Sequence, residues 1–280
     1  MIIDIHTHIF PPEIRHHRQN FLKNEAAFTL LYKSETAKIV GADKIVAAMD
    51  EQGVDKSVVF GFPWRSPQTT RQHNDYIIEA VNRYPKRLIG FACVDPFDNT
   101  APEEVERCLS AGLTGVGELA FYESGIDEAA QDRLEPIMAS ARARSVPVLI
   151  HTNEPVGHLY PGKTENTLSQ IYSLVKRYCD NTIILAHFGG GLFFYNLLKK
   201  EVRKTFQNIY FDTAAAPYLY QPEVYRVAID IIGPEKILFG SDYPLIPPKR
   251  YFEEMKQGGL SQDEFTTICG KNARRLLLPK

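Results

Sequence analysis

Eight short apolar runs recur along this chain of 280 residues, separated by segments patterned as helices. The runs are Ile2–Ile5, Ser57–Phe62, Leu88–Val94, Gly115–Leu119, Pro147–His151, Thr182–His187, Ile209–Asp212 and Ile237–Gly240. They are rich in Val, Ile, Leu and Phe and show little polar alternation, as strands covered on both faces of a parallel sheet do. Helical patterns fill the gaps at Ala42–Gln52, Thr69–Tyr84, Ala101–Ser110, Asp127–Arg144, Leu168–Tyr178, Leu192–Phe206 and Pro222–Ile232, with a C-terminal pair from Lys249. Asp43 near the first of them reads as an N-cap, and Gly53 as its left-handed stop. Eight strand–helix units in a chain of this length imply an α/β fold closed as a (β/α)8 TIM barrel, which typically takes about 250 residues. No Ser/Gly/Pro-rich linker divides the sequence, so one domain spanning 1–280 is expected.

Composition narrows the class further. Acidic residues slightly outnumber basic ones, for a net charge of −2, with no block of like charge. That argues against a nucleic-acid groove or an anionic membrane surface. No apolar run is long enough to span a bilayer, and a strand starting at residue 2 leaves no room for a signal peptide. Cys93, Cys108, Cys179 and Cys269 show no CxxC spacing and read as reduced thiols of a cytoplasmic protein.

Two connections exceed what a barrel needs. Residues 9–42 follow the first strand and 152–167 the fifth. Long loops after barrel strands sit over the C-terminal mouth, where lids and specificity residues are found; a surface insertion or an oligomer contact is the competing reading.

The chemistry-bearing residues fall at strand ends. The first strand closes in His6-Thr7-His8, a spacing that puts both imidazoles on one side of a pleat. Glu118 ends the fourth strand, His151 the fifth and His187 the sixth, while Asp242 follows the eighth in Phe-Gly-Ser-Asp-Tyr-Pro. Each has a plain structural reading: a hydrogen-bonded core histidine, a turn cap, an ion pair for Glu118. Their concentration at the tips of many strands favours one shared metal site. Asp4, one pleat before His6, is expected to accept from a histidine N–H. The Gly-Gly-Gly after His187 either marks a tight turn or lets backbone approach a ligand. Nitrogen and oxygen donors without cysteine suit Zn, Mn, Fe or Co rather than a Ca or Mg cage. Zinc is the first expectation, as one or two ions.

These motifs resemble the amidohydrolase superfamily of metal-dependent barrels, in its amidohydrolase 2 branch with aminocarboxymuconate-semialdehyde decarboxylase. The first-strand HxH, His151, His187 with Gly189-Gly190, the segment Ile237–Pro244 and Lys271–Leu277 carry the likeness. For decarboxylases of that branch the resemblance implies one metal on His6, His8, His151 and Asp242, with His187 as an acid/base beside it. Glu118 in Gly-Glu-Leu departs from the branch and looks like TatD-like hydrolases, where such an acid can bridge two metals. The resemblance also makes a homodimer the assembly to look for.

The expectation drawn from the sequence is a metal-dependent hydrolase of a small amide, ester or lactone using a metal-activated water. His6, His8, Glu118, His151, His187 and Asp242 would bind metal, with Asp242 and His187 catalytic. Trp64, Arg65 and Tyr122 would contact the small-molecule substrate. The alternatives are a mononuclear non-oxidative decarboxylase of an unsaturated or aromatic acid, and a barrel that binds metal or metabolite without turnover.

Overall fold

The computed structural model describes residues 1–122 and 125–278. All eight expected strands form. They are β1 (Ile3–His8), β2 (Lys56–Phe60), β3 (Leu88–Gly90), β4 (Val116–Leu119), β5 (Val148–Ile150), β6 (Ile183–Leu185), β7 (Ile209–Asp212) and β8 (Ile237–Leu238). Neighbours in sequence pair in parallel, as one three-stranded piece β1–β3 and one five-stranded piece β4–β8. Single bridges close the ring: Ala92 with Val116 joins β3 to β4, and Thr7 with Tyr243 joins β1 to the segment after β8. At that second seam Ile5 N–H donates to Phe239 O at 2.9 Å. The (β/α)8 barrel is therefore complete.

Ile3, Ile5, Val58, Phe60, Ile89, Phe91, Leu149, Ile184 and Leu238 pack together, and Ala273 and Leu277 of the C-terminal helix join them. A second apolar layer binds β4–β8 to their helices. Helix starts follow local chemistry: Ser66 caps Pro67–Arg83 and Asp127 caps Glu128–Ala143, each accepting a backbone N–H. The expected helix Leu192–Phe206 is the main departure. Residues His187–Leu197 form tight single turns and only Lys200–Thr205 is α-helical, because Phe188 to Gly191 take left-handed backbone angles.

The long loop 9–42 is folded, with short helices at Pro12–His16 and Ala26–Tyr32. Its Phe10, Ile14 and Phe28 bury themselves with Phe62 and Trp64 of the β2 loop. Loop 152–167 is pinned by Asn153, whose Oδ1 accepts from Thr164 N at 2.8 Å and Oγ1 at 2.5 Å. At Gly162 this loop lies against Leu31 of the first loop. Among the described residues no helix is long and apolar enough to cross a membrane.

Candidate metal centre

The barrel brings all six expected strand-end residues together. His8 Nε2 lies 3.3 Å from Asp242 Oδ1 and 3.8 Å from Glu118 Oε2. His6 Nε2 lies 3.6 Å from Glu118 Oε2 and 3.8 Å from Asp242 Oδ1. On the other side Glu118 Oε1 meets His151 Nδ1 at 2.9 Å and His187 Nε2 at 3.7 Å, and those two ring nitrogens are 3.2 Å apart. Glu118 thus offers one oxygen to each half of the cluster.

The outer nitrogens of the four imidazoles decide what the inner ones can do. His6 Nδ1 is 2.8 Å from Asp212 Oδ2, His8 Nδ1 3.2 Å from Gly61 O, and His187 Nδ1 2.9 Å from Ala214 O. His151 uses Nε2 instead, 2.9 Å from Gly162 O. Every partner is an oxygen that only accepts, so each of these ring nitrogens carries its proton. The opposite nitrogen of each neutral ring then holds a lone pair, turned toward the two carboxylates or a second lone pair. His6 Nε2 is buried and has no hydrogen-bond partner among the described residues. Buried acceptors facing one another are tolerable only around positive charge, supplied by protons or by a cation. The residues fit a divalent metal ion.

The local electrostatics agree. Burial pulls the His6 imidazole down, but the Glu118 and Asp212 carboxylates outweigh it and hold it well above its ordinary value. At His187 burial acts the same way and Glu118 again prevails upward. Burial pushes Glu118 up, yet His6 and His151 keep it well below the usual carboxylate range. Asp242 drops to about 2 against its own burial, through His8, His6 and His187. Without a metal the cluster gathers protons; with one, the same field holds the cation.

Three backbone features aim these side chains. Gly117 sits at φ 126°, and a Cβ there would overlap the carbonyl of Leu149, so only glycine lets β4 deliver Glu118 against β5. His187 and Asp242 both adopt φ 57°, a left-handed conformation that costs L-residues roughly 1–3 kcal/mol. Hydrogen bonds hold them there. His187 N–H donates to Asp212 Oδ1 at 2.8 Å and its carbonyl accepts from Tyr220 at 3.0 Å, while Asp242 N–H donates to His6 O at 2.9 Å.

Several expectations need correction. Asp4 does not touch a histidine ring. It accepts from His6 N at 3.2 Å, Ser241 N at 2.9 Å and Ser241 Oγ at 2.5 Å, tying β1 to the segment that carries Asp242. Asp212 takes the role expected of Asp4. An acid closing an apolar strand, as Glu118 does, was the signal for it. Trp64 is fully buried with its N–H given to His73 at 2.9 Å, so it backs the site rather than lining it. Arg65 has an exposed side chain, with its backbone N–H held by Glu25 at 3.0 Å. Tyr122 does lie at the centre, its ring 5.9 Å from His151 and stacked on Phe62 at 6.2 Å. The glycines after His187 serve the tight turn, since a Cβ on Gly190 would strike Asn153 O.

A family model described as amidohydrolase matches residues 3–278. The chain belongs to the amidohydrolase family. Within reach of this amidohydrolase are curated relatives of one reaction type. It is 24% identical to a γ-resorcylate decarboxylase of Polaromonas sp., over 84% of this chain and 86% of that one. It is 25% identical to a 2-amino-3-carboxymuconate-6-semialdehyde decarboxylase of Dictyostelium discoideum, over 79% of this chain and 70% of the other. Its fold matches a 5-carboxyvanillate decarboxylase of Novosphingobium aromaticivorans solved with manganese, at a TM-score of 0.78 and 15% identity over 99% and 95% of the two chains. The expectation of a hydrolase is overturned by these relatives: despite the family's name, they are decarboxylases. The donor set alone does not separate the two reactions, because a Lewis-acidic centre serves both. These relatives do not favour zinc in particular: the metal in that structure is manganese.

Proposed function

We propose that the protein is a metal-dependent, non-oxidative decarboxylase of an aromatic or unsaturated carboxylic acid carrying a neighbouring hydroxyl. One observation carries the reading: four imidazoles, each with one ring nitrogen turned inward around Glu118 and Asp242, beside an aromatic wall, in a chain whose curated relatives remove CO2. Phe60 meets the rings of His6 and His8 edge-on at 5.2 and 4.7 Å, and Tyr122 stands beside His151. A planar acid suits such walls.

His6, His8, His151 and Asp242 would hold the ion, with Glu118 oriented between the two halves of the cluster. Manganese is the first candidate. A bound divalent ion supplies a Lewis acid that draws electron density from the substrate's carboxylate and hydroxyl oxygens. The protein's own part is to supply a proton. His187 Nε2 faces the centre while Nδ1–H is fixed on Ala214 O, and Glu118 favours its protonated form. The bond from the substrate carbon to its carboxyl group breaks, CO2 departs, and the electron pair left on carbon takes the proton from His187 Nε2. Water then reprotonates the imidazole. Asp242, held low, stays anionic throughout and keeps His8 and His187 oriented.

The test is direct. Protein loaded with Mn²⁺ and incubated with a panel of ortho-hydroxy aromatic acids, γ-resorcylate first, should convert acid to the decarboxylated phenol by chromatography. His187→Gln should keep its metal and lose turnover by at least about a hundredfold, the usual scale for a general acid. Loaded enzyme that decarboxylates no member of the panel would sink the proposal.

A further inference from the structure

Among the described residues five tyrosines lie close enough to the site's acids to feel their charge: Tyr32, Tyr122, Tyr160, Tyr220 and Tyr251. Three have spent their hydroxyls. Tyr160 donates to Glu154 Oε2 at 2.7 Å, Tyr220 to the His187 carbonyl at 3.0 Å and Tyr251 to the Ser241 carbonyl at 2.6 Å. The hydroxyls of Tyr32 and Tyr122 make no hydrogen bond to any described residue. Tyr32 arrives from the first long loop and Tyr122 from the loop after β4, and they meet across Phe62. Tyr32 sits edge-on to Phe62 at 5.9 Å, and Tyr122 is nearly parallel to it at 6.2 Å.

Burial, followed by the charges of Glu118 and Asp242, pushes both phenols upward, so they remain O–H donors at any working pH. A donor next to carboxylates already engaged with histidines needs an acceptor from elsewhere. Neither Glu118 nor Asp242 pairs with a lysine or arginine among the described residues. Two cations of the long loops are engaged elsewhere: Lys163 holds Glu154 at 2.8 Å, and Arg18 binds the carbonyls of Tyr32, Ser34 and Ala37.

Resting on the decarboxylase reading, we infer that Tyr32 and Tyr122 bind the substrate's departing carboxylate through two neutral O–H donors, with Phe62 packed between them. A phenol O–H adds no charge of its own to the carboxylate, so it fixes the group's orientation with less ground-state stabilisation than a further ion pair would bring. This assigns substrate selection for a free carboxylate to a pair of residues far apart in sequence.

Two ligands separate the carboxylate from the ring: γ-resorcylate, and resorcinol, which is the same ring without it. Their binding to the Mn²⁺-loaded protein can be followed by calorimetry, or by fluorescence of Trp64, the chain's single tryptophan, 5.2 Å from Phe62. Tyr32→Phe and Tyr122→Phe should each raise Kd for γ-resorcylate roughly ten- to a hundredfold, the scale of one hydrogen bond to a charged group. Kd for resorcinol should stay within about twofold. Equal weakening of both ligands would mean packing alone, and unchanged Kd for γ-resorcylate would remove the hydroxyls; either result overturns the inference. Wild-type protein that binds neither γ-resorcylate nor any other acid of the panel overturns the decarboxylase reading, and this inference falls with it.

Discussion

At the scale of single residues, Asp212 shows how a site depends on groups that never face its centre. Its Oδ2 fixes the His6 ring, and its Oδ1 accepts from His187 N at 2.8 Å and Ala214 N at 2.9 Å. One carboxylate therefore sets the tautomer of one inward imidazole and the strained backbone of another. Asp212→Asn should fold, because the amide oxygen still accepts from one of these donors. It should weaken metal binding about 10- to 100-fold, the usual cost of losing such an orienting carboxylate. Competition with a chelator reads this out, and wild-type affinity would show that Asp212 is merely buried. Glu118 permits a sharper contrast. As a donor to metal it loses that capacity in Glu118→Gln, so metal per chain by elemental analysis should fall. A fall from two ions to one would identify a bridging carboxylate, and unchanged content with unchanged activity would leave Glu118 as a partner of His151 only.

Elements explain which parts of this could be read from sequence. The eight strands were legible because each is a short, mostly apolar run, and a buried parallel strand has few other ways to look. His6, His8, Glu118, His151, His187 and Asp242 were legible because each stands where such a run ends. Asp212 ended a run as well, but its function is a contact with His6 across 206 positions, which no local pattern encodes. Trp64 misled for the converse reason: it follows β2 as a substrate contact would, yet loop 9–42 folds over it. The segment after β6 misled because its left-handed residues come from packing. Gly190, at φ 62°, brings that turn against the backbone of Asn153, the residue that pins loop 152–167. Gly190→Ala combines a disfavoured φ with a backbone clash and should cost about 2–4 kcal/mol. The loop should then be cleaved faster by a protease acting between 152 and 167, with melting temperature measured alongside. A variant as stable and as resistant as wild type would show that the turn accommodates a Cβ at this position.

For the whole molecule, the site lies where the two sheet pieces must be held together. His6 and His8 belong to the three-stranded piece, whereas Glu118, His151 and His187 belong to or follow strands of the five-stranded one. Backbone hydrogen bonds join the pieces at both seams: Thr114 N–H to Gly90 O, Ala92 N–H to Gly115 O and Gly117 N–H to Ala92 O at one, and Ile5 N–H to Phe239 O, His8 N–H to Tyr243 O and Asp242 N–H to His6 O at the other. A cation shared by the strand-end ligands would add a further cross-link between the pieces, and the repulsion among those ligands in its absence would work against these bonds. Metal binding should therefore appear as barrel stability and not only as activity. Ligand at a hundred times its Kd contributes about 2.7 kcal/mol by mass action, which for a chain of this size corresponds to a melting shift of roughly 4–8 °C. Mn²⁺ added to chelator-stripped wild-type protein should produce that rise, and the double variant His6→Ala, His8→Ala should show neither the rise nor retained metal. A stripped protein that melts at the same temperature with and without the ion would separate the metal from the barrel's cohesion. A double variant that still gains stability would move the ion to the His151–His187 half of the cluster.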